Sequence, residues 1–333
     1  MKYILVDTMN LFFRAKHSSH RASDTWTKLG FCLHIMFSAV NKVVNKLGAD
    51  HVVFCLDGRS WRKDVYEPYK KNRKELRDKM SDKDREDDEV FFEIYEKFHK
   101  YLQEQSNCTV LKNDNAEADD LIARWIALHP TDEHIIVSSD SDFYQLLTNH
   151  VAQYNGISDQ LITLDGFFDS KDMLVIDKKT KEPKLPPNPK WLLFEKCMRG
   201  DSSDNVFSAF PGVRTKSTKK RIGLIEAFDD MDNKGYAWNN LMLQHWTDHN
   251  DIEHRVMDDY KRNKQLIDLT QQPLSIKESI DITINTSITS SDVGNVGIRF
   301  LRFCGEYDLN SISRYPQQYA KWLNKTYKGV IND

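Results

Sequence analysis

Three short apolar runs, residues 2–6, 51–56 and 134–139, each stop at an aspartate: Asp7, Asp57 and Asp140. Runs of this length between polar boundaries read as buried strands. Residues 26–47, between the first two, place apolar side chains at 29, 33, 36, 37, 40, 43, 44 and 47, a helical stripe suited to packing on a sheet. Strands that alternate with helices predict a parallel sheet. Parallel neighbours would carry all three aspartates to one edge, where open α/β sheets bind their ligands.

Residues 115–147 add to that edge. Glu117, Asp119 and Asp120 head an apolar, helix-like segment over 118–128, and Asp142 follows Asp140, so five carboxylates fall within 26 residues. Acidic residues suit a first helical turn, and Asp after a strand is common turn chemistry. Neither reason explains gathering them together. Like charges at one place need a counter-charge, and hard divalent cations with oxygen ligands supply it. The expected chemistry is metal-dependent phosphoryl transfer.

Residues 59–79 change character, with nine Lys or Arg against four Asp or Glu, interleaved with Trp61, Tyr66 and Tyr69. Arg62, Lys63, Lys70, Lys71 and Arg73 suit phosphate contact, and Tyr69 or Trp61 offers a face to an unstacked base. An acidic run over 81–89 and an amphipathic helix over 90–103 follow, so residues 59–100 are expected to form an arch or lid above the site. Further on, Asp201 and Asp204 stand three apart in an Asx-rich stretch, where a helix or tight turn puts both carboxylates on one side. Next come Phe210, Pro211, Gly212 and Val213, then Arg214, Lys216, Lys219, Lys220 and Arg221 without an intervening acid. A turn whose amides open into a helix, flanked by such cations, can hold a phosphate without reading bases.

The 333 residues allow two domains, expected at 1–190 and 191–333, the second mostly helical with a helix over 253–269 and with residues 281–288 rich in the Thr and Ile that suit an extended stretch. A net charge of -3 excludes an overall basic field and leaves nucleic-acid binding to local patches. Five cysteines lack zinc or CxxC spacing. No apolar run approaches the roughly 18 residues a bilayer span needs. The expectation is a monomeric, cytoplasmic protein with no leader and no membrane partner.

Val6-Asp7-Thr8-Met9-Asn10, Cys55-Leu56-Asp57-Gly58, Tyr69-Lys70-Lys71-Asn72-Arg73, Glu117-Ala118-Asp119-Asp120, Ser139-Asp140-Ser141-Asp142 and Gly200-Asp201-Ser202-Ser203-Asp204-Asn205 arrive in one order across about residues 1–225. In this the chain resembles the flap endonuclease / 5′-nuclease family, and within it the bacteriophage 5′-3′ exonucleases most. The resemblance implies an α/β, PIN-like nuclease domain with a mostly parallel central sheet, a helical arch, and a helical C-terminal region with a helix-hairpin-helix-type DNA-binding element. It implies two Mg²⁺ sites, with Mn²⁺ an alternative: Asp7, Asp57, Glu117, Asp119 and Asp140 at one, Asp142, Asp201 and Asp204 at the other, Asp120 near both. Lys70 and Arg73 would orient the scissile phosphate. The implied substrates are 5′ flaps, forked or nicked duplex DNA and RNA-primed DNA, in replication. The implied partners are a single-strand-binding protein or sliding clamp. The family's duplex-binding turn reads Gly-Val-Gly, whereas here Arg214 replaces the second glycine. A non-catalytic structure-specific DNA-binding protein on the same fold is the competing expectation.

Overall fold

The computed structural model describes residues 1–19, 24–219, 221–288 and 292–331. The chain divides into two compact units, the first comprising Met1–Ser60, Met80–Pro187 and Leu274–Asp333. Its sheet contains β1 (Lys2–Asp7), β2 (His51–Leu56), β3 (Thr109–Lys112), β4 (Glu133–Val137), β5 (Val151–Asn155), β6 (Gln160–Thr163) and β7 (Gly166–Phe168). In space the order is β3-β2-β1-β4-β5-β6-β7. The strands from β3 to β5 run parallel, and β6 and β7 add antiparallel at the end. The chain steps outward from β1 to β2 and β3, then returns on the other side of β1 as β4. That reversal opens a crevice at the strands' C-terminal ends. Because Val6 pairs with Val137, Asp7 and Ser138 leave the sheet side by side there.

The first unit's core explains its boundaries. Helices Thr25–Leu47 and Asp82–Gln105 bury Phe37 and Phe98 against Phe54 of β2, and Phe300 and Trp322 join the same cluster. Each fully buried side chain of that size contributes roughly 1.5–3 kcal/mol. The helix Thr25–Leu47 is closed at both ends: Asp24 accepts from the Thr27 amide at 2.9 Å, and Gly48 takes φ 75°.

Four expectations change. Residues 274–333 belong with the sheet rather than with a C-terminal domain, because helices Val296–Glu306 and Pro316–Leu323 bury Phe300, Phe303, Trp322 and Leu323 in its core. Residues 281–288 are helical, within Leu274–Ile288, tied by Arg124 to Asp281 at 2.5 and 2.7 Å. The arch of residues 59–100 divides, since Phe91, Ile94, Phe98 and Leu102 recur at helical spacing and are fully enclosed. Only Trp61–Lys79 stands apart from this unit. Residues 253–255 form a strand before the helix expected over 253–269 begins at Val256.

The second unit comprises Trp61–Lys79 and Asn188–Pro273. Helices Pro189–Arg199, Leu224–Asp229, Tyr236–Met242 and Val256–Ile267 pack Phe194, Leu224, Trp238 and Tyr260 together with Tyr69. A short ribbon of β8 (His245–Thr247) and β9 (Glu253–Arg255) completes it. Among the described residues, no helix is long and apolar enough to cross a membrane. All five cysteines are buried and free.

Candidate active site

At the crevice, Asp7 is almost entirely buried, and both of its oxygens are engaged. Oδ1 accepts from the Asn10 amide at 3.1 Å and Oδ2 from the Ser138 hydroxyl at 2.8 Å. Burial, then the charge of Asp57, pushes the Asp7 carboxyl up to about 7 against the pull of these hydrogen bonds, and Asp140 adds to the rise. The carboxylates that the strand ends were expected to gather therefore do sense one another electrostatically.

Glycine and capping chemistry place the rest. A Cβ on Gly58 would lie 1.8 Å from the Asn113 carbonyl, so only glycine lets the loop after β2 close on the loop before helix Ala118–Leu128. Gly58 and Arg59 amides donate there to Ala116 and Asp114 at 2.9 and 3.0 Å. Asp57 Oδ1 then accepts from the Ala118 amide at 2.8 Å. Glu117 and Asp120 form a reciprocal capping box at the start of that helix, with Asp120 accepting from the Glu117 amide at 3.2 Å. Ser60 donates to Glu117 at 2.8 Å. Asp120 is fully buried, Asp119 half-buried, Asp142 half-buried and Asp140 exposed. Asp140 caps the turn Ser141–Leu146 by accepting from the Asp142 amide at 2.9 Å.

Three positioning groups around this edge carry little sequence signal of their own. Asn10 Oδ1 accepts from the amide and hydroxyl of Ser139, each at 3.1 Å. Gln153 of β5 is fully buried and donates to the carbonyls of Ser138 and Asp140 at 2.9 and 2.7 Å. Ser138 itself bonds Asp7. A polar residue at an inward position of a buried strand is the one hint the sequence offered for Gln153. Gln153→Met should leave two buried carbonyls unpaired at about 1–3 kcal/mol, and loosening the Asp140 turn should lower catalysis about 10- to 100-fold. Denaturation midpoints and initial rates check both.

These carboxylates form an all-oxygen donor set, suited to a hard divalent cation, and the raised Asp7 marks a place where added positive charge is favourable. Among the described residues, no three His, Cys, Asp or Glu side chains are close enough together to hold a metal ion as they stand. Protein donors hold them instead: Asn10 and Ser138 on Asp7, Ala118 on Asp57, Ser60 on Glu117. Each carboxylate retains accepting capacity beyond those bonds. The donor chemistry fits the ion, and binding requires side chains to turn.

The second unit holds Asp201 and Asp204. Gly200 is obligatory before them: its φ is 76°, and a Cβ would lie 2.4 Å from the Val206 carbonyl. Asp201 Oδ1 accepts from the amide and hydroxyl of Ser203 at 2.9 and 2.7 Å, while Lys196 lies 2.8 Å from its other oxygen. Burial raises this carboxyl, but Lys196 and Ser203 together outweigh it and leave it below the ordinary value. Asp204 faces the basic segment: Tyr69 donates to it at 2.9 Å, Arg73 lies at 2.6 Å and Lys70 at 3.5 Å. Lys70 and Arg73 are thus both drawn to Asp204.

Other binding expectations are corrected. Trp61 and Tyr69 are buried, Tyr69 within the second unit's core, so neither presents a free face to a base. Arg62 is also buried, donating to the Leu266 carbonyl at 2.6 Å and lying 4.7 Å from the Trp61 ring, so it serves packing rather than phosphate. Lys63, Lys71 and Arg73 are exposed, Lys71 pairing with Glu67 at 2.7 Å.

Residues 210–213 form a turn with Pro211 second and Gly212 third at φ 73°, the signature of type II. Val213 donates back to Phe210 at 3.2 Å. No helix opens directly from it, however. The next begins at Leu224, because Ser217 is held by Glu226 at 3.0 Å and accepts from the Gly223 amide at 2.8 Å, folding the intervening loop. Arg214, Lys216 and Lys219 remain exposed on that loop, and Lys220 lies outside the described residues.

Residues 2–174 match the 5′-3′ exonuclease N-terminal, resolvase-like domain family. The flap endonuclease Xni of Shewanella loihica is 26% identical over 236 residues, 70% of this chain and 78% of that protein. The 5′-3′ exonuclease of Buchnera aphidicola is 24% identical over 297 residues, 86% and 85% of the respective chains. In fold, a bacteriophage T5 flap endonuclease solved with DNA and metal ions superimposes with a TM-score of 0.57 at 18% identity, covering 96% of this chain and all of that one (100%).

Proposed function

We propose, from the premise that this chain belongs to the 5′-3′ exonuclease family, that it cleaves phosphodiester bonds near the 5′ ends of flapped, forked or nicked duplex DNA, with RNA primers among its substrates. The observation that carries this reading is the C-terminal edge of the parallel strands, where Asp57 and Asp140 both raise the carboxyl of buried Asp7. The relatives' names, and the DNA and metal ions in the T5 complex, support the substrate class and a divalent cation, which we take to be Mg²⁺ with Mn²⁺ as a substitute.

Asp7, Asp57, Glu117, Asp119, Asp120 and Asp140 would hold one cation with Asp142 beside them, and Asp201 and Asp204 would hold a cation in the second unit. Such ions, when bound, supply an activated water and neutralise charge on the phosphoryl and leaving oxygens. The chain's own cations do the remaining electrostatic work. Lys70 and Arg73 exchange Asp204 for the scissile phosphate, a swap of one anion for another. Exposed Arg214, Lys216 and Lys219 hold the duplex backbone, and contacts of that kind position a substrate without reading its sequence. Primer removal in phage replication, within the host cytoplasm and as a monomer, completes the reading, and five free cysteines support a reducing compartment.

The test is cleavage of a 5′-labelled flap duplex by wild type and Asp140→Asn, in Mg²⁺, in Mn²⁺ and in EDTA, with binding measured in Ca²⁺. Asparagine can still cap the Ser141 turn, so folding is spared. Metal-dependent release near the junction, reduced about 100-fold or more in the variant while binding persists, is expected. Tight binding without cleavage under any metal would establish the non-catalytic DNA-binding protein instead.

A further inference from the structure

Two grooves on the first unit share one lining residue, the buried Tyr307, and neither contains a residue of the proposed nuclease site. One has a volume of about 510 Å³ and runs between helices Asp82–Gln105 and Val296–Glu306. Its floor is aromatic, with the rings of Tyr101 and Phe303 4.3 Å apart and those of Phe303 and Tyr307 4.7 Å apart. Its rim carries Lys97, Lys100, Arg299 and Arg302 against Glu104 and Glu306, four cations less two anions, or +2, on a chain whose net charge is -3. Lys97 sits 5.7 Å from the Tyr307 ring centre, and Lys100 is only loosely paired with Glu104 at 4.0 Å.

The second groove, about 340 Å³, continues from Tyr307 to Trp26, Phe31 and His34. Trp26 and Phe31 are each about half exposed, at 49% and 47%. The Trp26 indole is set in place rather than loose: its N–H donates to Asp308 at 3.0 Å, and its ring stacks on Tyr307 at 6.1 Å. An apolar face held rigid in solvent is ready to bury something without a large ordering cost.

We propose that these two grooves, which share Tyr307, dock a flexible acidic peptide of a partner protein, its carboxylates along Lys97, Lys100 and Arg302 and an adjoining aromatic side chain against Trp26 and Phe31. Charge complementarity selects the acidic half, and the exposed rings select the apolar one.

The probe is a fluorescein-labelled peptide of consecutive aspartates followed by phenylalanine, titrated with the full chain, with Trp26 emission as a second signal. Saturable binding is expected, weakened at least about tenfold by Arg302→Glu and, separately, by Trp26→Ala, and by replacing the aspartates with asparagines. Flap cleavage by both variants should stay at the wild-type rate, which also shows that they are folded. Absence of saturable binding overturns the proposal. So does displacement of the peptide by an oligo-dT strand that binds more tightly at the same residues, or concentration-dependent self-association that alone accounts for the Trp26 signal.

Discussion

Asp7→Asn is expected to stabilise the chain at neutral pH in EDTA while removing its nuclease activity. In the folded state Asp7 keeps its proton up to about 7, against an ordinary 3.8. Between those values the folded chain binds more protons than the unfolded one, so this group makes stability fall as pH rises. The whole window is worth roughly 4 kcal/mol, and it closes when the carboxyl becomes an amide. Asparagine can still accept from Asn10 and meet Ser138, so the two local hydrogen bonds need not be lost. Disturbing a group that only supports a metal ligand typically costs about 10- to 100-fold, and removing a ligand should cost more. Urea midpoints across the window, with flap-cleavage rates in Mg²⁺, measure both sides. A variant less stable than wild type at pH 7 would mean that Asp7 is held ionised by something other than the groups named.

Strand ends were legible because apolar runs and their terminal aspartates are local in sequence. Their parallel arrangement then followed from alternation with helices, whereas their order in space did not. Arg62 and Tyr69 show the opposite case: their composition suited phosphate and base contact, but burial depends on chain segments two hundred residues away, such as the Leu266 carbonyl. Residues 281–288 looked extended because Thr and Ile favour strands, and an ion pair from Arg124, together with bonds from Asn113 to Ser279 and Thr283 at 2.9 Å, overrides that preference. The capping box of Glu117 and Asp120 is a further lesson. The same two carboxylates that the sequence offers as metal ligands close the start of the helix, each accepting from the other's backbone amide. Gln153 was invisible to motif reasoning, since its value lies in which carbonyls the neighbouring strand presents to it.

His134→Phe should flatten much of the chain's acid sensitivity without touching catalysis. His51 is the first residue of β2 and His134 the second of β4, at the opposite end of the strands from Asp57 and Asp140, and both flank Tyr3 of β1. Burial, before any neighbouring charge, lowers both imidazoles to about 4. They stay neutral in the folded chain and take up protons on unfolding, so their contribution is complete above about 6.5 and is lost as pH falls from there to about 4, at roughly 3 kcal/mol each. His51 at least bonds the Lys325 carbonyl at 2.9 Å and the Thr109 hydroxyl at 2.7 Å. Neither ring nitrogen of His134 has a hydrogen-bond partner, and its ring stacks on Tyr3 at 5.5 Å. Phenylalanine keeps that stack and removes two unpaired polar atoms, a gain of about 1–3 kcal/mol at neutral pH. Asp7 and the two histidines oppose one another over nearly the same pH range, Asp7 favouring the acid side and the histidines the neutral side. Burial lowers the imidazoles of His34 and His129 as well, so wild type should gain stability from pH 4 to 6.5, Asp7→Asn should steepen that rise, and His134→Phe should make it shallower. Urea midpoints in EDTA over that range separate the three, and a His134→Phe profile parallel to wild type would show that His134 is already charged or solvated in the folded chain.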